Sequence, residues 1–239
     1  MAVTGEKVVV VGGSSGMGFA AARALTEAGA SVIIAARSRE KLDSARSALG
    51  GTTEARVLDF TNEKQVRDLF ASLGVFDHLV ITGAGAPAWG QFRELSPGAL
   101  RSAFETKFWG YFYCAQQALP HLRRDGSLTF VTGAASRAAL PGTSGLAAVN
   151  GAIAAMARTL AKELAPLRVN VISPGLVDTP AYDGMPAEAK ETLFRQISAS
   201  LPVGRVGRPE EIGAAVLFLV ENGFTTGAVL DVDGGAAVG

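Results

Sequence analysis

The chain has 239 residues, 48% apolar and 18% charged, with 22 Lys and Arg balanced by 22 Asp and Glu; it can fill a large core, and with no basic run it offers no footing for nucleic acid. A single cysteine, Cys114, excludes an internal disulfide and a cysteine-rich zinc site, and two histidines, His78 and His121, leave too few ligands for a metal cluster, so no metal is expected and both histidines are expected at the surface or at helix ends. No run approaches the roughly 20 apolar residues of a membrane helix and no cleavage signature opens the chain, so the expectation is a soluble cytoplasmic protein with no membrane partner.

Short β-branched runs alternate with helical patterns along the whole chain. KVVVV (7–11) precedes a helix pattern over 17–28, and SVIIA (31–35) precedes a charged helix over 39–49. ARVLDF (55–60) leads to NEKQVRDLFASL (62–73), and DHLVIT (77–82) leads through a Gly/Ala/Pro loop to one long helix over 99–122. SLTFVT (127–132) precedes a helix over 146–164, and RVNVIS (168–173) and AVLDV (228–232) complete seven strand candidates. Continuous apolar strands between helices predict an α/β fold, a parallel sheet covered on both faces. One doubly wound domain spanning 1–239 is expected. The stretch 176–208, rich in Pro and Gly, leaves the carboxyl end of a late strand and is expected to be a substrate lid.

VVVVGGSSGMGFAAARAL reads as strand, glycine turn, helix, with glycines at Gly12, Gly16 and Gly18. A backbone without Cβ turns tightly and approaches a pyrophosphate, and the next helix aims its N-terminus at the anion. Ser14, Ser15 and Met17 lie within this turn. The second strand ends Ala35-Ala36-Arg37, where a cofactor with a free ribose 2′-hydroxyl usually meets an acid. Arg37, helped by Ser14, instead suits a 2′-phosphate, which favours NADP(H) over NAD(H); the alternative is a solvated strand-end Arg. Asp59 is placed to accept from an adenine amino group or, equally, to start a turn.

GGSSGMG after the first strand, LDF after the third, LAKELAPLRVNVISPGLVDTP, and TGAVLDVDGG near the end together resemble the short-chain dehydrogenase/reductase family, over essentially the whole chain. The resemblance implies a single Rossmann-type domain with seven parallel strands. It also implies a small-molecule substrate and a homo-oligomer, dimer or tetramer, packed through the two long helices. It places Pro174, Gly175, the Val177 backbone and Thr179 at the nicotinamide end, and Gly83 beside the cofactor in a loop where Ile81-Thr82-Gly83-Ala84 stands for the family's Asn-Asn-Ala-Gly.

The family's proton-transfer residues are replaced. In alignment on NGAIAAMARTLAKELAP, Asn150 stands at the Lys position, Leu146 at the Tyr, Gly133 at the Ser and Lys107 at the helix Asn. No Tyr lies between Tyr113 and Tyr182, so no shift of register restores one. Lys107 and Asn150 both fall on apolar helix faces, where buried polar groups need partners, so a Lys107–Asn150 contact is expected; the alternative is a Lys107 that snorkels to solvent along its stem. Lys107, Asn150 and Ser144 are the candidate catalytic residues, with Tyr182 a weaker one. Three functions stay open: an NADP(H)-dependent oxidoreductase with a rebuilt site, a nucleotide-binding sensor or partner subunit without turnover, and a non-redox isomerase, dehydratase or cyclase.

Overall fold

A computed structural model describes residues 3–238. Strands β1 (Lys7–Val11), β2 (Ser31–Ala36), β3 (Glu54–Val57), β4 (Phe76–Ile81), β5 (Leu122–Val131), β6 (Arg168–Pro174) and β7 (Val229–Val232) form one parallel sheet in the order β3-β2-β1-β4-β5-β6-β7. Helices α1 (Gly16–Glu27), α2 (Arg39–Leu49), α3 (Glu63–Leu73), α4 (Pro97–Ala103), α5 (Gly110–Ala118), α6 (Ser144–Glu163), α7 (Ala187–Ser200) and α8 (Pro209–Glu221) connect or follow them. The expected doubly wound, Rossmann-type α/β architecture is present.

Period-two alternation sends the side chains of each strand to both faces. Val9 and Val11 of β1 join a core with Val66 and Phe70 of α3, Tyr111 of α5 and Ile153 of α6. Val8 and Val10 join a second core with Leu25 of α1, Leu42 of α2 and Ile212 and Val216 of α8. Both faces are dry, which is why the strands read as unbroken apolar runs. The strand order reverses between β1 and β4, so a crevice opens at their carboxyl ends, the place where such sheets bind ligands.

Three expectations need correction. The helix expected over 99–122 is α4, then a π-helical turn over Phe104–Trp109, then α5, which ends at Ala118. Thr106 at the turn donates its hydroxyl to the Ser102 carbonyl and accepts from the Ala86 amide, each at 2.7 Å, so the loop after β4 is tied to the place where the helix widens. Helix α8 was not among the expected elements: its sequence PEEIGAAVLFLVE is apolar almost all round, because its buried face fills the second core while Phe218 stays exposed. His78 is neither at the surface nor at a helix end. It is buried in β4, with Nδ1 2.8 Å from Ser127 Oγ and Nε2 2.9 Å from Glu6 Oε2, and desolvation holds its pKa below the ordinary imidazole value. His121 follows the end of α5, as expected.

Candidate active site

The glycine turn sits at the crevice. Gly12 and Gly16 have φ of 87° and 53°, in the left-handed region that favours glycine. A Cβ on Gly18 would strike the Gly12 carbonyl and the Thr82 hydroxyl, so α1 is held hard against the end of β1. Thr82 Oγ1 in turn donates to the Val11 carbonyl at 3.0 Å, which locks β4 to β1. Ser15 precedes α1 without a side-chain capping bond, and the first turn carries no acid. The leading amides of α1 are therefore left to an anion.

A cleft of about 280 Å³ runs along this turn, and Ser14, Ser15, Gly16, Met17 and Gly18 line it. At one end lie Arg37, Ser38 and Lys41, and no carboxylate lines the cleft anywhere. Arg37 is exposed and forms no ion pair among the described residues. Ser38 and Lys41 were not singled out from the sequence. The signal was available, since Lys41 stands one helical turn after Arg37 at the start of α2, but it needs the helix boundary to be known. At the other end Thr82, Gly83 and Ala84 meet Thr179 and Pro180. A Cβ on Gly16 would lie 3.3 Å from Thr179 Cβ, so the turn and the segment after β6 close on one another.

The remaining cofactor candidates divide. Gly83 lines the cleft and its carbonyl accepts from Tyr111 Oη at 3.1 Å. Val177 is buried; the flanking Leu176 carbonyl and Asp178 amide bond Gly207 at 2.9 Å each. Pro174 ends β6, and Gly175 is packed against the Asp233 backbone, which a Cβ would meet at 2.7 Å. Asp59 starts a turn, its Oδ1 accepting from the Thr61 amide at 3.1 Å and the Thr61 hydroxyl at 2.8 Å, an arrangement that leaves Oδ2 without a protein partner among the described residues. Its neighbours Leu58 and Phe60 line the cleft, and Asp59 does not.

The expected Lys107–Asn150 contact is present. Lys107 Nζ donates to Asn150 Oδ1 at 2.8 Å and to the Thr132 carbonyl at 3.0 Å. The π turn carries Lys107 on a widened stretch of helix, a feature common at functional sites. Asn150 is buried, and its Nδ2 donates to the Gly133 carbonyl at 3.4 Å. A Cβ on Gly133 would lie 3.0 Å from that nitrogen. The Gly133 backbone is extended (φ 163°, ψ 148°), a conformation any residue adopts, so space for Asn150 is what the glycine provides. Burial alone pulls the Lys107 pKa down to about 8.

The other hydroxyl candidates are not gathered here. Ser144 is exposed in the first turn of α6. It stands six residues before Asn150, which at about 100° per residue puts it on a different face. Leu146 packs against the core edge and can neither give nor take a proton. Tyr182 packs edge-on against Phe194 of α7, with centroids 5.4 Å apart, as a packing residue of the loop would. Tyr111 lies beside Lys107, its ring centroid 5.8 Å from Nζ, but its hydroxyl donates to the Val131 and Gly83 carbonyls and burial raises its pKa beyond any acid–base use.

Comparison with known proteins agrees with the fold. The family described as enoyl-(acyl carrier protein) reductase matches residues 11–237. A 3-oxoacyl-[acyl-carrier-protein] reductase of Thermotoga maritima is 30% identical over 251 residues, covering 100% of both chains. The cis-4-hydroxycyclohexanecarboxylate dehydrogenase of Sinomonas cyclohexanicum is 34% identical over 246 residues, covering 96% of each. Among solved structures, a small-chain dehydrogenase in complex with NADPH superposes with a TM-score of 0.83 at 36% identity, covering 98% of this chain and 100% of the other. The chain belongs to the short-chain dehydrogenase/reductase family of oxidoreductases, whose members bind a nicotinamide cofactor.

Proposed function

We propose that the chain is an NADP(H)-dependent oxidoreductase for a carbonyl or alcohol substrate, with Lys107 in place of the usual proton donor. The observation that carries the reading is the desolvated Lys107 ammonium fixed by Asn150 and Thr132 at the end of β5. Support for NADP(H) over NAD(H) comes from Arg37, Ser38 and Lys41 at the far end of a cleft with no carboxylate, and from the NADPH bound by the structural neighbour. The uncapped start of α1 suits the pyrophosphate, and Gly83, Val177 and Thr179 stand where the nicotinamide half would be held. When bound, the reduced nicotinamide supplies a hydride to the carbonyl carbon. Lys107 gives its proton to the carbonyl oxygen and recovers one from solvent, while Asn150 holds the amine in place. The segment 176–208 serves as the lid: α7 contributes no fully buried residue and is fastened by Lys190, 2.9 Å from Asp178 Oδ1 and 3.5 Å from Asp183 Oδ1. Exposed Trp89, Phe92 and Leu140 suit an apolar substrate. Exposed Trp109, stacked on Tyr113 and edge-on to Phe112, suits a homo-oligomeric interface.

The test is substrate-dependent loss of NADPH absorbance by the wild type and by Lys107→Met. Removal of a positioned acid should lower the rate by about 10²–10⁴-fold. The acid works in its ammonium form, so the wild-type rate should fall as pH rises through about 8, and Lys107→Met should lose that limb. Equal rates and equal pH profiles in the two proteins would reject Lys107 as the donor. Leu146 and Gly133 favour a second reading, a nucleotide-binding protein without turnover. Tight NADPH binding with no consumption across a panel of aldehydes and ketones would select it.

A further inference from the structure

Among the described residues, the charge on Lys107 has no counter-ion. Both acceptors of Lys107, the Thr132 carbonyl and Asn150 Oδ1, are neutral, and Lys107 forms no salt bridge among the described residues. The groups packed around the amine are Tyr111 of its own helix system, Asn150 of α6, Thr132 at the end of β5, and Gly85 of the loop after β4, where an added Cβ would meet Lys107 Cβ at 2.6 Å. Only Tyr111 among them titrates, and burial keeps its phenol protonated. The amine stands at the carboxyl end of β5, across the switch point from Arg37. In an open α/β sheet a dinucleotide lies across that point, one half on each side.

The two redox forms of a nicotinamide dinucleotide differ by one positive charge on the nicotinamide ring: the oxidised ring is cationic and the reduced ring is neutral. We infer that Lys107 makes this chain select the reduced cofactor, by repelling the oxidised ring without penalising the reduced one. This inference rests on the NADP(H) reading above and adds a direction to it, since a protein that discriminates in this way is poised for reduction. A desolvated charge with no carboxylate beside it acts through a low dielectric and is weakly screened. Linkage makes the effect reciprocal. Oxidised cofactor lowers the Lys107 pKa further when it binds and so releases part of a proton, and reduced cofactor does not. Because burial already holds the amine near 8, a further decrease brings the release into the neutral range.

The experiment is calorimetric titration of the apo-protein with NADPH and with NADP⁺, in buffers of different ionisation enthalpy, at pH 6.5, 7.5 and 9.5. The expected ratio of affinities favours NADPH by at least about tenfold at pH 6.5, the effect of a like charge as far as roughly 12 Å away at effective dielectric about 20, and shrinks by pH 9.5, where the amine is neutral. NADP⁺ binding at pH 7.5 should release protons, and NADPH binding should release fewer. Lys107→Met should collapse the ratio and abolish its pH dependence. An undiminished ratio in Lys107→Met, or NADP⁺ binding without proton release in the wild type, overturns the inference and leaves the cofactor reading intact. Failure of both forms to bind overturns both. The wild-type proton count stands even if the variant does not fold.

Discussion

The cleft along the glycine turn and the Lys107 corner are built on different terms. On the side of β1 to β3, glycine turn, uncapped helix and Arg37 are set by backbone shape and local order, and each works within a few residues of its neighbours in sequence. On the side of β4 to β6, Lys107, Thr132, Gly133 and Asn150 come from three separated segments and depend on one another: the ammonium needs the Asn150 carbonyl, and Asn150 needs the space that Gly133 leaves. A change on the first side removes one contact. A change on the second unsettles several, so that corner could be rebuilt only by replacing its members together.

The comparison is broken most severely at Gly18. Gly18→Val drives a side chain into the Gly12 carbonyl and the Thr82 hydroxyl, neither of which is free to move. Saturable NADPH binding should disappear, and a normal titration curve would show that α1 has room to shift. Arg37→Ala combined with Lys41→Ala comes next. Loss of two charge-assisted contacts worth about 1.5–3 kcal/mol each should weaken NADPH binding roughly 10²- to 10⁴-fold. NADH, which has no 2′-phosphate, should be little affected, and an equal loss for both cofactors would place the phosphate elsewhere. The smallest effect is expected at Gly133→Ala, where the added methyl presses on Asn150 Nδ2 at 3.0 Å. Asn150 must give by a few tenths of an ångström, which should cost part of one hydrogen bond, roughly 0.5–1.5 kcal/mol, or about two- to tenfold in rate. A rate unchanged by this methyl would mean that the four residues are less interlocked than their distances imply.

Legibility in the sequence follows the same division. The sheet was readable because buried parallel strands are continuous apolar runs, and the glycine turn because its demands fall within seven consecutive residues. The Lys107–Asn150 contact was also readable, since two polar residues on apolar helix faces had few other partners. The π turn was not: FETKFW has no local mark that separates it from an ordinary helix, and the tie from Thr106 to Ala86 spans |i−j| = 20. Nor was the purpose of Gly133, whose backbone is unremarkable and whose reason lies seventeen positions away in Asn150. His78 was misjudged because its partners Glu6 and Ser127 are 72 and 49 positions distant. The role of Asp59 was left even in the sequence; Thr61 engages its Oδ1 as a turn would, which leaves Oδ2 free to accept from an adenine amino group.

The π turn also sets a phase. A single extra residue in a helical turn shifts everything that follows by about 100°, so Phe104–Trp109 fixes the angle at which Tyr111 and Cys114 of α5 meet the core. Removal of one residue here, such as exposed Glu105, would turn Lys107 and α5 out of step with α4 without changing a single functional group.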